Sequence, residues 1–167
     1  EQALALEKAA EAVIARHQPV GSDLRRIIST IRIAVDLERV ADLAVNIARI
    51  ALDLGTEPLL KPLIDIPRMA ATAQEMLRDA LTALIEENCS AAQEVCRRDS
   101  EIDDLYWQIF RELLSFMIED PRTIKRAIPL LFVARHLERV GDHATNVAEA
   151  VTYLLTGERV IDAPGEG

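Results

Sequence analysis

Apolar positions recur at three- and four-residue intervals along almost the whole chain, the spacing of helices that bury one face. Residues 1–18 carry Leu4, Leu6, Ala10, Val13, Ile14 and His17 on one approximate stripe, and Pro19-Val20-Gly21 ends it. Ser22 is placed to cap the next helix, with Asp23 in its first turn. That helix spans about 23–54, marked by Leu24, Ile27, Ile28, Ile31, Val35, Leu43, Ile47 and Ile50, and Gly55 closes it. Residues 56–66 hold Pro58 and Pro62 and read as a linker; its Leu59, Leu60, Leu63 and Ile64 predict that it packs on the helices. Pro67 suits the opening of a helix over 67–87, whose buried face is Met69, Ala73, Met76, Leu77, Ala80, Leu81, Leu84 and Ile85. After the turn Asn88-Cys89-Ser90, Val95, Ile102, Leu105, Ile109, Leu113 and Met117 predict one helix over 91–118, with Tyr106 and Trp107 as packing residues. Asp120-Pro121 opens the last helix, about 121–156. Pro129 is expected to kink it and Gly157 to stop it, and the polar tail 158–167 is expected to fray.

The pattern predicts five helices and no strand. Long helices joined by tight turns pack as antiparallel neighbours, so the fold class is all-α. A second regularity divides the chain. Residues 37–48 (Leu37-Glu38-Arg39-Val40-Ala41-Asp42-Leu43-Ala44-Val45-Asn46-Ile47-Ala48) return at a constant offset of 100 as residues 137–148, with eight of twelve positions identical. Such density at one spacing marks two copies of one unit. The first unit is 1–55, with two helices; 56–66 links it to the second, 67–157, with three. A complete twin calls for one more helix ahead of Glu1.

Composition narrows the chemistry. Half of the 167 residues are hydrophobic but only 4% aromatic, so the core is built of Ala, Leu, Ile and Val. A net charge of −9 argues against nucleic-acid binding, which needs clustered Lys and Arg, and favours cations or a basic partner surface. No run of about twenty apolar residues predicts a membrane span, and no signal-peptide pattern is read. Cys89 and Cys96 lie two turns apart, about 10 Å along one helix, too far for a disulfide; they read as reduced thiols of a cytosolic protein.

Each repeat carries an acid, an acid and an amide on one helix face: Glu38, Asp42 and Asn46, then Glu138, Asp142 and Asn146. The row reads either as a solvated acidic face or as oxygen ligands for a hard cation. Counting from the turn at Asp120 brings Asp103 level with Glu138 and Asp99 level with Asp142, so four carboxylates converge from two helices if both stripes face the seam. Glu101 and Asp104 are close alternatives. In the first hairpin Glu7 approaches Glu38, but Ala3 stands one turn before it, so that site is one carboxylate short. His17, His136 and His143 form no cluster, and His143 reads as a surface or packing residue. Glu138 and Glu38 are followed three residues on by Gly141 and Ala41 rather than by His, which argues against a di-iron oxidase.

These residues resemble the PhoU family of phosphate-transport regulators. The resemblance rests on Asp36-Leu37-Glu38-Arg39-Val40-Ala41-Asp42 and Leu137-Glu138-Arg139-Val140-Gly141-Asp142. It extends to Arg16-His17-Gln18-Pro19-Val20-Gly21-Ser22-Asp23-Leu24-Arg25, to Asp99 with Ile102-Asp103, and to Met117-Ile118-Glu119-Asp120-Pro121-Arg122-Thr123-Ile124. It implies two pseudo-symmetric antiparallel bundles of three-helix repeats, here without the first helix of the first repeat. It implies metal ions (iron, zinc, manganese or magnesium) on Glu38, Asp42, Asp99, Asp103, Glu138 and Asp142, with Glu7 as a further candidate. It also implies a non-enzymatic, cytoplasmic homodimer, peripheral to the membrane. Such a protein links the ATPase subunit of the phosphate-specific ABC transporter to a phosphate-sensing histidine kinase and represses the phosphate-starvation response when phosphate is abundant. The rival readings are a metal-dependent phosphoesterase and a structural bundle with solvated acidic faces.

Overall fold

The computed structural model describes residues 2–55 and 58–158. Within them the chain is an all-α bundle of six α-helices: α1 Gln2–His17, α2 Ser22–Leu54, α3 Asp65–Ile85, α4 Cys89–Arg97, α5 Asp99–Glu119 and α6 Ile124–Thr156. A 3₁₀ turn, Pro121–Thr123, joins α5 to α6. The frayed tail expected from residue 158 lies, beyond Glu158, outside the described residues.

Helix α6 is the centre. Small and branched residues along it, among them Ala127, Ala134, Ala144, Val147, Ala148 and Val151, are buried. Their size lets α2, α3, α4 and α5 all pack against it. Met69, Met76, Ile102, Ile109 and Leu113 fill the space between α3, α5 and α6 and are almost wholly buried. Each such side chain stabilises the fold by about 1.5–3 kcal/mol relative to exposure. Helices α2 and α6 run antiparallel: Arg25 lies against Gly157, the Arg32 guanidinium sits 5.9 Å from the Tyr153 ring, and Asp36 meets His143. Helix α1 packs on α2 and buries no residue completely.

The local signals act largely as read. The Asn88 side chain accepts a hydrogen bond from the Ala91 N–H and caps α4. The Asp120 side chain accepts from the Arg122 N–H and starts the 3₁₀ turn. Gly157 adopts φ 77° and its N–H donates to the Tyr153 carbonyl, the left-handed stop that glycine makes cheaply. Pro129 lies inside α6, which continues past it as one helix.

Five expectations need correction. The predicted helix 91–118 is two: the chain breaks at Arg98, whose guanidinium donates to Asp79 (3.0 Å) and Glu75 (3.2 Å) on α3. Apolar periodicity passes through the break because Val95 and Ile102 stay in phase with the core. Ser22 is the first helical residue rather than the cap; Gly21, at φ 58°, precedes it without a side-chain hydrogen bond. Helix α3 starts at Asp65, because Lys61 from the linker pairs with Asp65 (3.3 Å) and with Glu112 on α5, fixing the first turn. Trp107, read as a packing residue, is half exposed, and Ile85, read as part of the buried face, ends α3 and is 81% exposed.

Candidate metal centre

The seam between α5 and α6 is unusually close. A Cβ added at Gly141 falls 2.9 Å from Cδ1 and Cγ2 of the buried Ile102, so only a glycine fits without displacement. This contact sets the height at which acids of the two helices meet. Asp103 from α5 and Glu138 and Asp142 from α6 each place a carboxylate oxygen within 4.8 Å of the other two. Asp103 is half-buried, Glu138 is only 8% exposed and Asp142 is open to solvent.

The cluster is electrostatically incomplete. Burial, then the neighbouring charges of Asp99 and Asp142, pushes the Asp103 carboxyl above the usual carboxylate range. Burial and then Asp142 do the same to Glu138, and burial and then Asp99 to Asp142. The Arg135 guanidinium donates to Glu138 Oε1 from three residues upstream and pulls all three carboxyls back down in part. Glu138 Oε2 is buried and has no hydrogen-bond partner. An unpartnered, buried carboxylate oxygen facing two further carboxylates is costly unless a cation or proton joins it. The all-oxygen donor set fits a hard metal ion such as magnesium, manganese or iron.

The expected fourth member stands aside. Asp99 is near enough to perturb Asp103 and Asp142, but its Oδ1 accepts a hydrogen bond from Thr145 (2.9 Å), one turn along the seam. On the first hairpin Glu38 and Asp42 are exposed, and Asp42 lies 3.9 Å from Arg39. Among the described residues, Glu7, Glu38 and Asp42 do not draw three ligand atoms together as the second hairpin does.

The sequence reading missed two features of the site. Arg135 is recognisable as an i,i+3 partner of Glu138. His143 is no isolated surface residue: its Nδ1 lies 2.8 Å from Asp36 Oδ1 on α2, which also accepts from the Asn146 amide (3.3 Å). The residue beside the ligand candidate Asp142 therefore ties α6 to the other repeat. A cavity of about 490 Å³ opens next to this link, lined by Arg32, Val35, Asp36, Asn146, Glu149 and Tyr153; none of the acid trio lines it.

The PhoU domain model matches residues 2–51 and 66–151, both repeats. The chain belongs to the PhoU family. A relative from Deinococcus radiodurans, named phosphate-specific transport system accessory protein PhoU homolog, is 43% identical over 147 residues, covering 88% of this chain and 69% of the relative. One of the same name from Aquifex aeolicus is 46% identical over 155 residues, 93% of this chain and 70% of its own length. Homolog 2 from Thermotoga maritima is 43% identical, and this chain spans 64% of it. The crystal structure of PhoU from Pseudomonas aeruginosa superposes with a TM-score of 0.90 at 36% identity, over 93% of this chain and 75% of that one. The phosphate transport system regulatory protein PhoU from Streptococcus pneumoniae gives 0.80 at 30% identity, over 96% and 78%. No described helix is long and apolar enough to cross a membrane.

Proposed function

We propose that this chain is a metal-binding regulatory adaptor of phosphate uptake. Its relatives are named accessory proteins of the phosphate-specific transport system, and the same role here supports docking on that transporter from the cytoplasmic side. In this reading its partners are the transporter ATPase subunit and a phosphate-sensing histidine kinase, and it holds the starvation response off when phosphate is plentiful. The observation that carries the metal part is the trio Asp103, Glu138 and Asp142 with its buried, unpartnered Glu138 Oε2. A divalent or trivalent ion held there neutralises the repulsion and locks α5 to α6. Glu38 and Asp42, with Glu7, form a second and weaker candidate on the first hairpin, and Asp99 is held to its Thr145 contact rather than to the ion.

The role is structural rather than catalytic. Bound metal fixes the hairpin whose neighbour His143 reaches α2, so occupancy is transmitted to both repeats. The test is capture of the purified transporter ATPase subunit and of the kinase sensor region by the chain with and without added manganese or iron, beside a phosphate-ester turnover assay. Metal-strengthened capture without turnover supports the adaptor. Turnover that needs metal and is lost in Asp142→Ala overturns it in favour of a phosphoesterase.

A further inference from the structure

Arg135 joins the acid trio to a group of aromatic rings. Its guanidinium donates to Glu138 Oε1 and also lies over the Tyr106 ring, 5.7 Å from the centroid. The Arg135 side chain is half exposed and that of Glu138 nearly buried, so the contact runs from the seam outward to the surface. Tyr106 belongs to α5, as Asp103 does, and Arg135 to α6, so the same side chain bridges the two helices. Tyr106 meets Trp107 edge-on at 5.4 Å, and Trp107 meets Phe110 in the same manner at 5.5 Å. Trp107 is 52% exposed. One cation therefore stands between a buried carboxylate and rings that face solvent.

Charge indicates what Arg135 does there. Among the described residues it is the one cation that lowers all three raised carboxyls; Arg139 acts on Glu138 and Asp142 alone. Arg135 offsets one negative charge of three and engages one Glu138 oxygen, leaving Oε2 without a partner. A cation on the trio and a guanidinium on Glu138 Oε1 are like charges at close range, and they repel. They also draw on the same carboxylate. The first repeat lacks this feature: at the offset of 100 the position of Arg135 is taken by Val35.

We propose that Arg135 is a resident counter-cation that competes with metal for Glu138 and relays its own displacement to Trp107. The proposal rests on the reading of Asp103, Glu138 and Asp142 as a metal centre and adds the regulation of that centre. In the metal-free protein Arg135 holds Glu138 and tempers the repulsion between α5 and α6. When metal binds, Arg135 releases Glu138, and the face of Tyr106 is the partner left to it. The setting of Tyr106 against Trp107 changes with that release. The resident charge also weakens metal binding, so the centre fills only above a threshold concentration of metal.

The chain has one tryptophan, so its emission reads position 107 alone. The experiment is calorimetric titration with manganese, and Trp emission during titration with magnesium, which does not itself quench. Wild type is compared with Arg135→Gln and Arg135→Lys, with helical circular dichroism as the check on folding. Arg135→Gln is expected to bind manganese about tenfold or more tightly than wild type, because a like charge close to the ion is gone. Arg135→Lys keeps the charge and stays near the wild-type affinity. Magnesium is expected to change the Trp107 emission of wild type and to leave that of Arg135→Gln unchanged. Binding by Arg135→Gln that is equal to or weaker than that of wild type makes Arg135 a positioning partner of Glu138 and overturns the competition. An emission that magnesium does not move in wild type, or moves equally in Arg135→Gln, overturns the relay. In each of these cases wild type still binds manganese, so the metal reading stands. Manganese bound by neither wild type nor Arg135→Gln removes the metal reading, and the proposal with it.

Discussion

Replacing Glu138 by Gln should raise the stability of the metal-free protein and abolish its stabilisation by metal. In the metal-free state Glu138 faces two carboxylates within 4.8 Å and one guanidinium, Arg135. To first order one repulsion and the attraction cancel, leaving one uncompensated like-charge pair. At that separation the pair costs about 3 kcal/mol at an effective dielectric of 20 and about 1 kcal/mol in water. Asp142 is open to solvent, so about 1–2 kcal/mol is expected, and Gln keeps the shape of Glu. For a chain of this size that is about 2–8 °C in Tm.

The pH dependence has a definite sign. All three carboxyls are raised, chiefly by burial, so they bind protons more readily folded than unfolded. Their contribution is fully present below the unfolded carboxylate range and is lost as pH rises through the folded values. The advantage of Glu138→Gln should therefore be large at pH 7 and shrink toward pH 4. Saturating metal should invert the order: a ligand at one hundred times its Kd adds about 2.7 kcal/mol to wild type and nothing to the variant. The assay is thermal unfolding by circular dichroism in chelator and in manganese, at both pH values. A variant less stable than wild type in chelator at pH 7, or an unchanged difference at pH 4, refutes the reasoning.

Gly141→Ala should destabilise by about 1–3 kcal/mol despite its better helix propensity, because the new Cβ meets Ile102 at 2.9 Å; Ile102→Val in the same chain should recover part of the loss of denaturant midpoint. His143→Ala should lower stability by about 1–2 kcal/mol, since it removes a half-buried partner of Asp36 between α2 and α6; an unchanged midpoint in urea would contradict the tie. Asp103→Asn should weaken metal binding by more than Asp99→Asn, because Asp99 is engaged by Thr145; calorimetric titration with manganese ranks the two. Gly157→Ala should cost about 1 kcal/mol through its φ of 77° and be visible as a lower Tm.

The sequence placed Asp103 opposite Glu138 by counting from one turn, because residue number along an antiparallel hairpin measures height. It does not measure rotation. That is why Asp99, rightly set near the height of Asp142, turned out to bond Thr145 instead. The repeat at offset 100 disclosed the acid pairs, yet the two hairpins differ: Gly141 lets α5 close on α6, whereas Ala41 stands exposed on α2. The Asp36–His143 tie joins positions 107 residues apart, beyond any local pattern. The break at Arg98 depends on acids of α3 that helical periodicity does not see.

The central claim is that the second hairpin holds a metal ion through Asp103, Glu138 and Asp142. Elemental analysis of purified protein tests it directly, with Glu138→Ala/Asp142→Ala prepared alongside and both reconstituted with magnesium, manganese, iron and zinc. The account predicts stoichiometric metal in wild type that disappears in the double variant while the helical content stays. Wild-type protein that remains metal-free after reconstitution would contradict it and leave the acids as a solvated face.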